Sequence, residues 1–336
     1  MESAPGKEAY PDASAVFLYL QEMAEVDAHG AVVTSRNKLT HVLTLQGRER
    51  YSNPSFVYDT DRESVELMRG VTVRESGREV EVEEDGINEI TPAFLEGATI
   101  YANVLEKVIS FPVAGPGSTM DLQVLETRAP ASDRSFSGLE YMGDTDPLLK
   151  AEFTLRYPQE AYDPTYVTSD GMLGDVEIVG TVSDGQILFE AVDVPALVPE
   201  DTMPPRTELL PRIVYSSYQN WNEPAAFMAE LFYPHVETDG SVADRVAELT
   251  AGLTSDEERT RAVFLDVTKN VRNVYLGLGT GGYEPNDAST VLENKYADTR
   301  DKAVLLVSML RAADVNAYPA AIRQVESGFE VSVPTL

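Results

Sequence analysis

The side chains able to do chemistry are limited in kind and unevenly spaced. The 336 residues include no cysteine, which removes disulfides, thiolate metal sites and thiol catalysis together. Three histidines, His29, His41 and His235, are too scattered for any helical ligand pair, so no metal site is expected on them. Their neighbours place His29 in a turn, His41 in a strand and His235 in a loop after the Tyr233-Pro234 break. Carboxylates are too numerous, at 56, for any pair to be nominated as a glycosidase acid and base. The run Gly277-Leu278-Gly279-Thr280-Gly281-Gly282 has the glycine pattern of a dinucleotide loop. That chemistry needs a helix N-terminus aimed at the pyrophosphate, and Tyr283-Glu284-Pro285 follows instead. The run reads as a turn, and no cofactor is expected.

The informative stretch is Tyr296-Ala297-Asp298-Thr299-Arg300-Asp301-Lys302-Ala303, continuing to Ala313. Asp298 or Thr299 has the residue type of a helix N-cap, and Asp301 in the first turn complements the helix dipole. A helix is predicted from about Asp298 to Ala313, with Ala303, Leu306, Val307 and Leu310 on its inner stripe.

The elements that must position this helix fall into two groups. Up to about residue 194 the chain reads as short strands joined by turns. Asp27-Ala28-His29-Gly30 is a turn signal; Leu39, His41, Leu43 and Leu45 then lie on one face of a half-buried strand, with Arg36, Lys38, Thr40 and Thr44 opposite. Hairpins are predicted around Ser76-Gly77, Ala114-Gly115-Pro116-Gly117 and Ser183-Asp184-Gly185, and the whole suggests a β-sandwich. Prolines 195, 199, 204, 205 and 211 mark either a linker or an ordered strap along the sandwich. Beyond them the period becomes helical: Pro224 to Phe232, Ser241 to Leu253, and a helix opened by the capping-box spacing Ser255-Asp256-Glu257-Glu258, with Val263, Phe264, Val267 and Val271 as its apolar positions. Ala317 to Ile322 and Phe329 to Val333 read as strands. The expected domains are residues 1–205, β-rich, and 206–336, helical with terminal strands.

The stretch around Asp298 resembles the nucleophile helix of bacterial transglutaminase-like proteins, where a Gly-Asp-Cys-Lys-Asp-Lys-Ala type segment opens a helix closed by an Arg-Ala-Ala-Gly type turn. Asp298, Asp301, Lys302, Ala303, Arg311, Ala312 and Ala313 match. The likeness extends to Tyr318-Pro319-Ala320-Ala321-Ile322-Arg323, to the Tyr283-Glu284-Pro285 loop and to Trp221, and the first half resembles the β-rich domain of unknown function (type 3857) that precedes such cores. The resemblance implies an α+β fold: an all-β, sandwich-like domain followed by an incomplete transglutaminase-like (papain-like) core. It puts Thr299 at the position of the family cysteine, Ala297 and Asp314 where the family has glycine, and Trp221, Tyr283, Tyr296, Asp298 and Asp301 along a candidate cleft. The family's His and Asp should follow the nucleophile by some tens of residues; no histidine follows His235, and the given chain stops at Leu336.

The charge is -30, from 56 acidic and 26 basic residues. Such a chain is repelled by phosphate backbones and anionic lipids, so nucleic-acid and membrane-surface partners are not expected. No apolar run reaches the ~18 residues of a membrane span. Met1 to Ser14 lacks the pattern of a signal peptide, as a mature secreted chain also would. The expected function is binding or scaffolding, with a peptide or protein ligand and a periplasmic or extracellular setting. The alternative is an acyl-transfer or amide-hydrolysing enzyme whose His and Asp lie beyond the given chain.

Overall fold

The computed structural model describes residues 4–173, 176–277, 282–322 and 333–335. The chain forms two compact units, Met1–Ile90 with Glu106–Trp221 and Gln324–Leu336, and Thr91–Leu105 with Asn222–Arg323.

In the first unit β1 (Ala15–Val26), β2 (Val32–Val42), the helix α1 (Leu45–Tyr51) and β3 (Ser55–Asp59) open the chain. Then come β4 (Glu63–Val73), β5 (Glu79–Glu81), β6 (Ile87–Ile90) and β7 (Val104–Ile109), of which Glu106–Ile109 belong to this unit. They are followed by β8 (Thr119–Arg128), β9 (Ser137–Tyr141), β10 (Leu148–Arg156) and β11 (Thr165–Ser169). β12 (Val179–Ser183), β13 (Gln186–Val194), the single turn α2 (Arg206–Leu209) and β14 (Arg212–Ser216) complete it. An eight-stranded sheet has the order β12-β13-β10-β1-β2-β8-β4-β5, antiparallel except where β1 runs parallel to β10. Two three-stranded sheets, β11-β14-β9 and β3-β7-β6, accompany it.

Side chains from these sheets interlock as a sandwich core. Phe17, Ala151, Phe153 and Phe189 of the large sheet bury against Phe136, Ile213 and Tyr215, with the Phe153 and Tyr215 rings 5.2 Å apart. A second cluster joins Val42, Met120, Leu122 and Val124 to Ile109 and Phe111. The turn chemistry places the strands well. Asp27 Oδ1 accepts the His29 and Ala31 N–H groups, and Val26 faces Val32 across that turn. Val73 pairs with Glu79 around Gly77, and Ser183 with Gln186 around Asp184-Gly185.

Several expectations change. Ala114 to Gly117 is not a hairpin, because β7 and β8 belong to different sheets and the turn carries the chain between them. β2 stops at Val42; Thr44 caps α1 through the Gly47 N–H, and Leu45 is 64% exposed. The covered face of β2 is the one that carries Arg36, Lys38 and Thr40, continuous with fully buried Val42. The proline-rich stretch is an ordered strap: Leu197, Leu209 and Leu210 bury together beside Tyr141 and Leu173, and β14 pairs with β11 and β9.

The second unit contains α3 (Asn222–Phe232), α4 (Gly240–Thr250), α5 (Asp256–Asn270), β15 (Arg272–Asn273), α6 (Ala288–Asn294), β16 (Tyr296–Ala297) and α7 (Thr299–Ala312). Ser255 and Glu258 form the expected reciprocal capping box of α5. Its apolar stripe buries Val263, Val267 and Val271, but Phe264 is half-exposed. The core joins these valines to Val242 and Val246 of α4, Val291 of α6 and Val304 and Leu305 of α7. Val307 of the predicted stripe is buried in this core, and Ala303, Leu306 and Leu310 pack at its margin, so the centre of the inner face is turned from the predicted one. Asp301 and Ser308 are wholly buried on it, while Ala303, Leu306 and Leu310 are only partly covered. Two hydrogen-bonded polar residues on the buried face shift the apparent hydrophobic phase. Residues 317–322 are irregular rather than a strand, and Ile322 is 86% exposed. Of the predicted strand from Phe329 to Val333 only Val333 is among the described residues, and the glycine run loses residues 278–281 in the same way.

Candidate functional site

The N-terminus of α7 is held by a two-strand connection and a buried polar network. β16 runs parallel to β15, pairing Tyr296 with Arg272 and Ala297 with Asn273, and delivers the chain to Asp298. Asp298, not Thr299, is the N-cap: its Oδ1 accepts the Asp301 N–H at 2.9 Å. Its Oδ2 accepts Nε and Nη2 of Arg300 at 2.7 and 2.5 Å, and Arg300 Nη1 donates to the Gly282 carbonyl. Both members of this ion pair are buried. Burial pushes the Asp298 carboxyl up despite the opposing pull of Arg300.

Asp301 is fully buried and fully partnered. Its Oδ1 accepts the Asn286 N–H at 2.7 Å, and its Oδ2 accepts Asn286 Nδ2 at 2.9 Å and the Tyr101 hydroxyl at 2.5 Å. Tyr101 Oη also accepts the Asp298 N–H at 2.8 Å. Burial first, then the charges of Asp298 and Asp301, hold the Tyr101 phenol far above its usual range, so it remains a donor. Tyr296 braces the same segment by accepting the Ile100 N–H at 3.1 Å. Lys302 donates to the Val271 carbonyl at 2.8 Å and to Asn273 Oδ1 at 2.5 Å, tying α7 back to β15.

Thr299 is the first residue of α7 and is exposed. Among the described residues its hydroxyl enters no hydrogen bond. The candidate cleft residues are brought together in part: Tyr296, Asp298 and Asp301 surround the start of α7. Tyr283 instead packs edge-on against Phe227 of α3, ring centroids 6.3 Å apart. Trp221 closes the first unit and is 52% exposed. Tyr101 was not visible as a site residue, because its partners lie about 200 positions further along the chain.

Each histidine now has its place. His29 is exposed in its turn, and His41 is buried in β2 with Nδ1 2.9 Å from Thr119 Oγ1. His235 lies in a 3-10 turn, Tyr233–His235, rather than a loop. Its Nδ1 is 2.7 Å from Asp287 and its Nε2 is 3.3 Å from Glu284. Among the described residues no group of three or more His, Asp or Glu side chains is placed to hold a metal ion. Among them, too, no helix is long and apolar enough to cross a membrane.

Comparison with known proteins agrees with this geometry. The family described as Domain of Unknown Function with solved-structure structure (DUF3857) matches residues 28–195, half of the chain. The Transglutaminase-like superfamily matches residues 243–321. None of the curated proteins matches. A crystal structure from Parabacteroides distasonis, of a protein provisionally named a protease, superposes with a TM-score of 0.81 at 19% identity over 90% of this chain. The chain spans 59% of the length of that structure, and the likeness establishes the α+β fold. An M1 zinc metallopeptidase from Deinococcus radiodurans has a TM-score of 0.28 at 10% identity, covering 62% of this chain and 44% of its own. Leukotriene A4 hydrolase from Saccharomyces cerevisiae has a TM-score of 0.30 at 10% identity, covering 63% and 32%. Likenesses that low carry no argument. The chain belongs to the DUF3857 family and joins that β-rich domain to a transglutaminase-like core in which no cysteine is present.

Proposed function

We propose that this chain is a non-catalytic binding or scaffolding protein on a transglutaminase-like frame, with a peptide segment as ligand and a periplasmic or extracellular setting. One observation carries the reading. Thr299 stands where the resemblance puts a thiol, exposed and without a hydrogen-bonded base, while the carboxylates beside it face inward and are occupied. A helix N-terminus can stabilise a thiolate, but a hydroxyl is far too weak an acid for the same field to make an alkoxide near neutral pH. A threonine nucleophile needs an adjacent general base. Asp301 is committed to Tyr101 and Asn286, Asp298 to Arg300 and its own helix, and His235 to Asp287 and Glu284. Tyr275 and Tyr318 of the same unit, 81% and 73% exposed, offer aromatic surface of the kind that peptide interfaces use.

The test exposes the full chain to an array of immobilised short peptides, beside assays for amide hydrolysis and for amine incorporation into casein. Saturable peptide binding that survives Thr299→Ala, with neither reaction catalysed by wild type or by Thr299→Cys, is the expected result. Peptide binding no greater than background removes the ligand assignment. The second reading, an acyl-transfer or amide-hydrolysing enzyme, draws on the exposed hydroxyl at the helix N-terminus. Turnover by wild type that disappears in Thr299→Ala would establish it in place of the first.

A further inference from the structure

The first unit contains a pocket that combines three cations with aromatic and aliphatic walls. It has a volume of about 270 Å³, and its lining includes Arg36, Lys38 and Arg50 together with Phe56, Phe111 and Met120. No carboxylate is among its lining residues. In a chain with 56 acidic and 26 basic residues, an acid-free concentration of positive charge is unexpected.

Lys38 is the residue that the fold leaves unexplained. It sits on the covered face of β2, one of the two central strands of the eight-stranded sheet, between Leu20 of β1 and Leu122 of β8. A lysine in that row interrupts an apolar layer. Arg36 is satisfied by Glu22 at 2.8 Å and Glu126 at 2.9 Å, and Arg50 lies 3.9 Å from Asp146. Lys38, among the described residues, has no hydrogen bond and no ion pair; its ammonium lies 4.1 Å from the centre of the Phe17 ring and 5.6 Å from that of Tyr51. The carboxylates whose field reaches it are engaged elsewhere. Asp144 holds Arg206 at 2.9 Å, and Asp146 holds Ser14 and Tyr51 at 2.7 and 2.6 Å.

We propose that this pocket binds a small organic carboxylate with an apolar body, its anion seated on Lys38 and its body against Phe56, Phe111 and Met120. Burial without a counter-ion disfavours the charged amine, and the Lys38 pKa is accordingly held below its ordinary value. The face of an aromatic ring offsets part of that cost, and an incoming carboxylate removes much of the remainder by supplying the missing partner. The volume, about 270 Å³, is just below the roughly 300–1,000 Å³ typical of small-molecule sites, which fits a compact ligand and not a drug-sized one. The assignment is independent of the transglutaminase-like core and of what happens at Thr299.

The test is a calorimetric titration of the full chain at neutral pH with 3-phenylpropionate, and separately with 3-phenylpropan-1-ol as the neutral analogue. Saturable binding of one equivalent of the acid, at least tenfold tighter than the alcohol, is expected. Lys38→Met should lose at least tenfold in affinity for the acid, keep its near-ultraviolet circular dichroism and melt no lower than wild type. A second measurement needs no variant: saturating 3-phenylpropionate should slow reductive methylation of Lys38, read by peptide mass spectrometry, and leave the other lysines unchanged. Equal affinity for acid and alcohol, undiminished binding in Lys38→Met, or unprotected Lys38 under saturating acid would each overturn the proposal.

Discussion

Tyr101 and Asp301 are 200 positions apart in the chain and share a buried hydrogen bond of 2.5 Å. The same phenol accepts the N–H of Asp298, so one hydroxyl serves both the N-cap residue and the first-turn carboxylate of α7. The start of a buried helix leaves backbone donors that need partners. Here one of those partners comes from Thr91–Leu105, a segment that interrupts the β-rich half in sequence and belongs to the helical unit in space.

Tyr101→Phe tests how much that arrangement contributes. The ring and its packing among Leu95, Val274 and Tyr296 are retained, while Asp301 loses a donor and the Asp298 N–H loses its acceptor. An unsatisfied buried polar group costs about 1–3 kcal/mol, and more where charge is involved. The unfolding transition of the second unit should move to lower denaturant by a corresponding amount. An unchanged midpoint would mean that water replaces the hydroxyl at no cost.

The sequence made some of this legible and hid the rest for physical reasons. Capping chemistry is local, so Ser255 with Glu258 could be read from residue type, and the cap of α7 could be narrowed to Asp298 or Thr299, between which the folded geometry decides. Turn chemistry is local as well, and Asp27 and Gly185 marked their hairpins. Period-two alternation gave the faces of β2 but not which was covered, because Arg36 and Lys38 occupy positions where apolar residues are the usual signal. The same failure turned the stripe of α7, where buried Asp301 and Ser308 are polar. Tyr101 had no local signal at all, since its role exists only through contacts formed on folding.

Asp298→Ala should be much more damaging than its neighbour's replacement. It removes a cap worth about 1 kcal/mol and leaves the buried Arg300 guanidinium without its carboxylate, a loss of about 3–5 kcal/mol when one member of a buried pair is removed. Thr299→Ala, at an exposed position without hydrogen bonds, should stay within about 0.5 kcal/mol of wild type. Chemical denaturation of both variants decides it. Similar losses in the two would show that the ion pair contributes little to holding α7.

Gly47→Ala sets helix propensity against packing. Alanine is favoured over glycine by about 1 kcal/mol in a helix interior, so propensity alone predicts stabilisation of α1. A Cβ at position 47, however, would stand 2.1 Å from the Ser14 carbonyl oxygen and 2.7 Å from its carbon. The backbone of α1 or of the entry to β1 must move, and Ser14 also anchors Asp146. A loss of about 1–3 kcal/mol is expected from such overpacking. A raised melting temperature would show that α1 is free to shift.

Glu140 provides the pH-dependent case. It faces Glu22 on β1, Arg36 on β2, Glu126 on β8 and Tyr215 on β14, so three carboxyl groups share one guanidinium. Burial, then the charge of Glu22, raises the Glu140 carboxyl well above its ordinary range, and Glu126 is raised as well. In the unfolded chain a glutamate loses its proton near pH 4.3. Between that value and the higher folded one the native state binds more protons, so stability falls as pH rises through the interval. Glu140→Gln keeps the shape and cannot ionise. Its melting temperature should match wild type in acid, where both side chains are neutral, and exceed it increasingly from about pH 4 upward until Glu140 is fully ionised. Melting curves of both proteins across that range, at fixed ionic strength, measure the difference directly. A gap that is constant with pH would show that Glu140 does not titrate anomalously, and a wild type more stable at neutral pH would show that its ionised form is stabilised by Arg36.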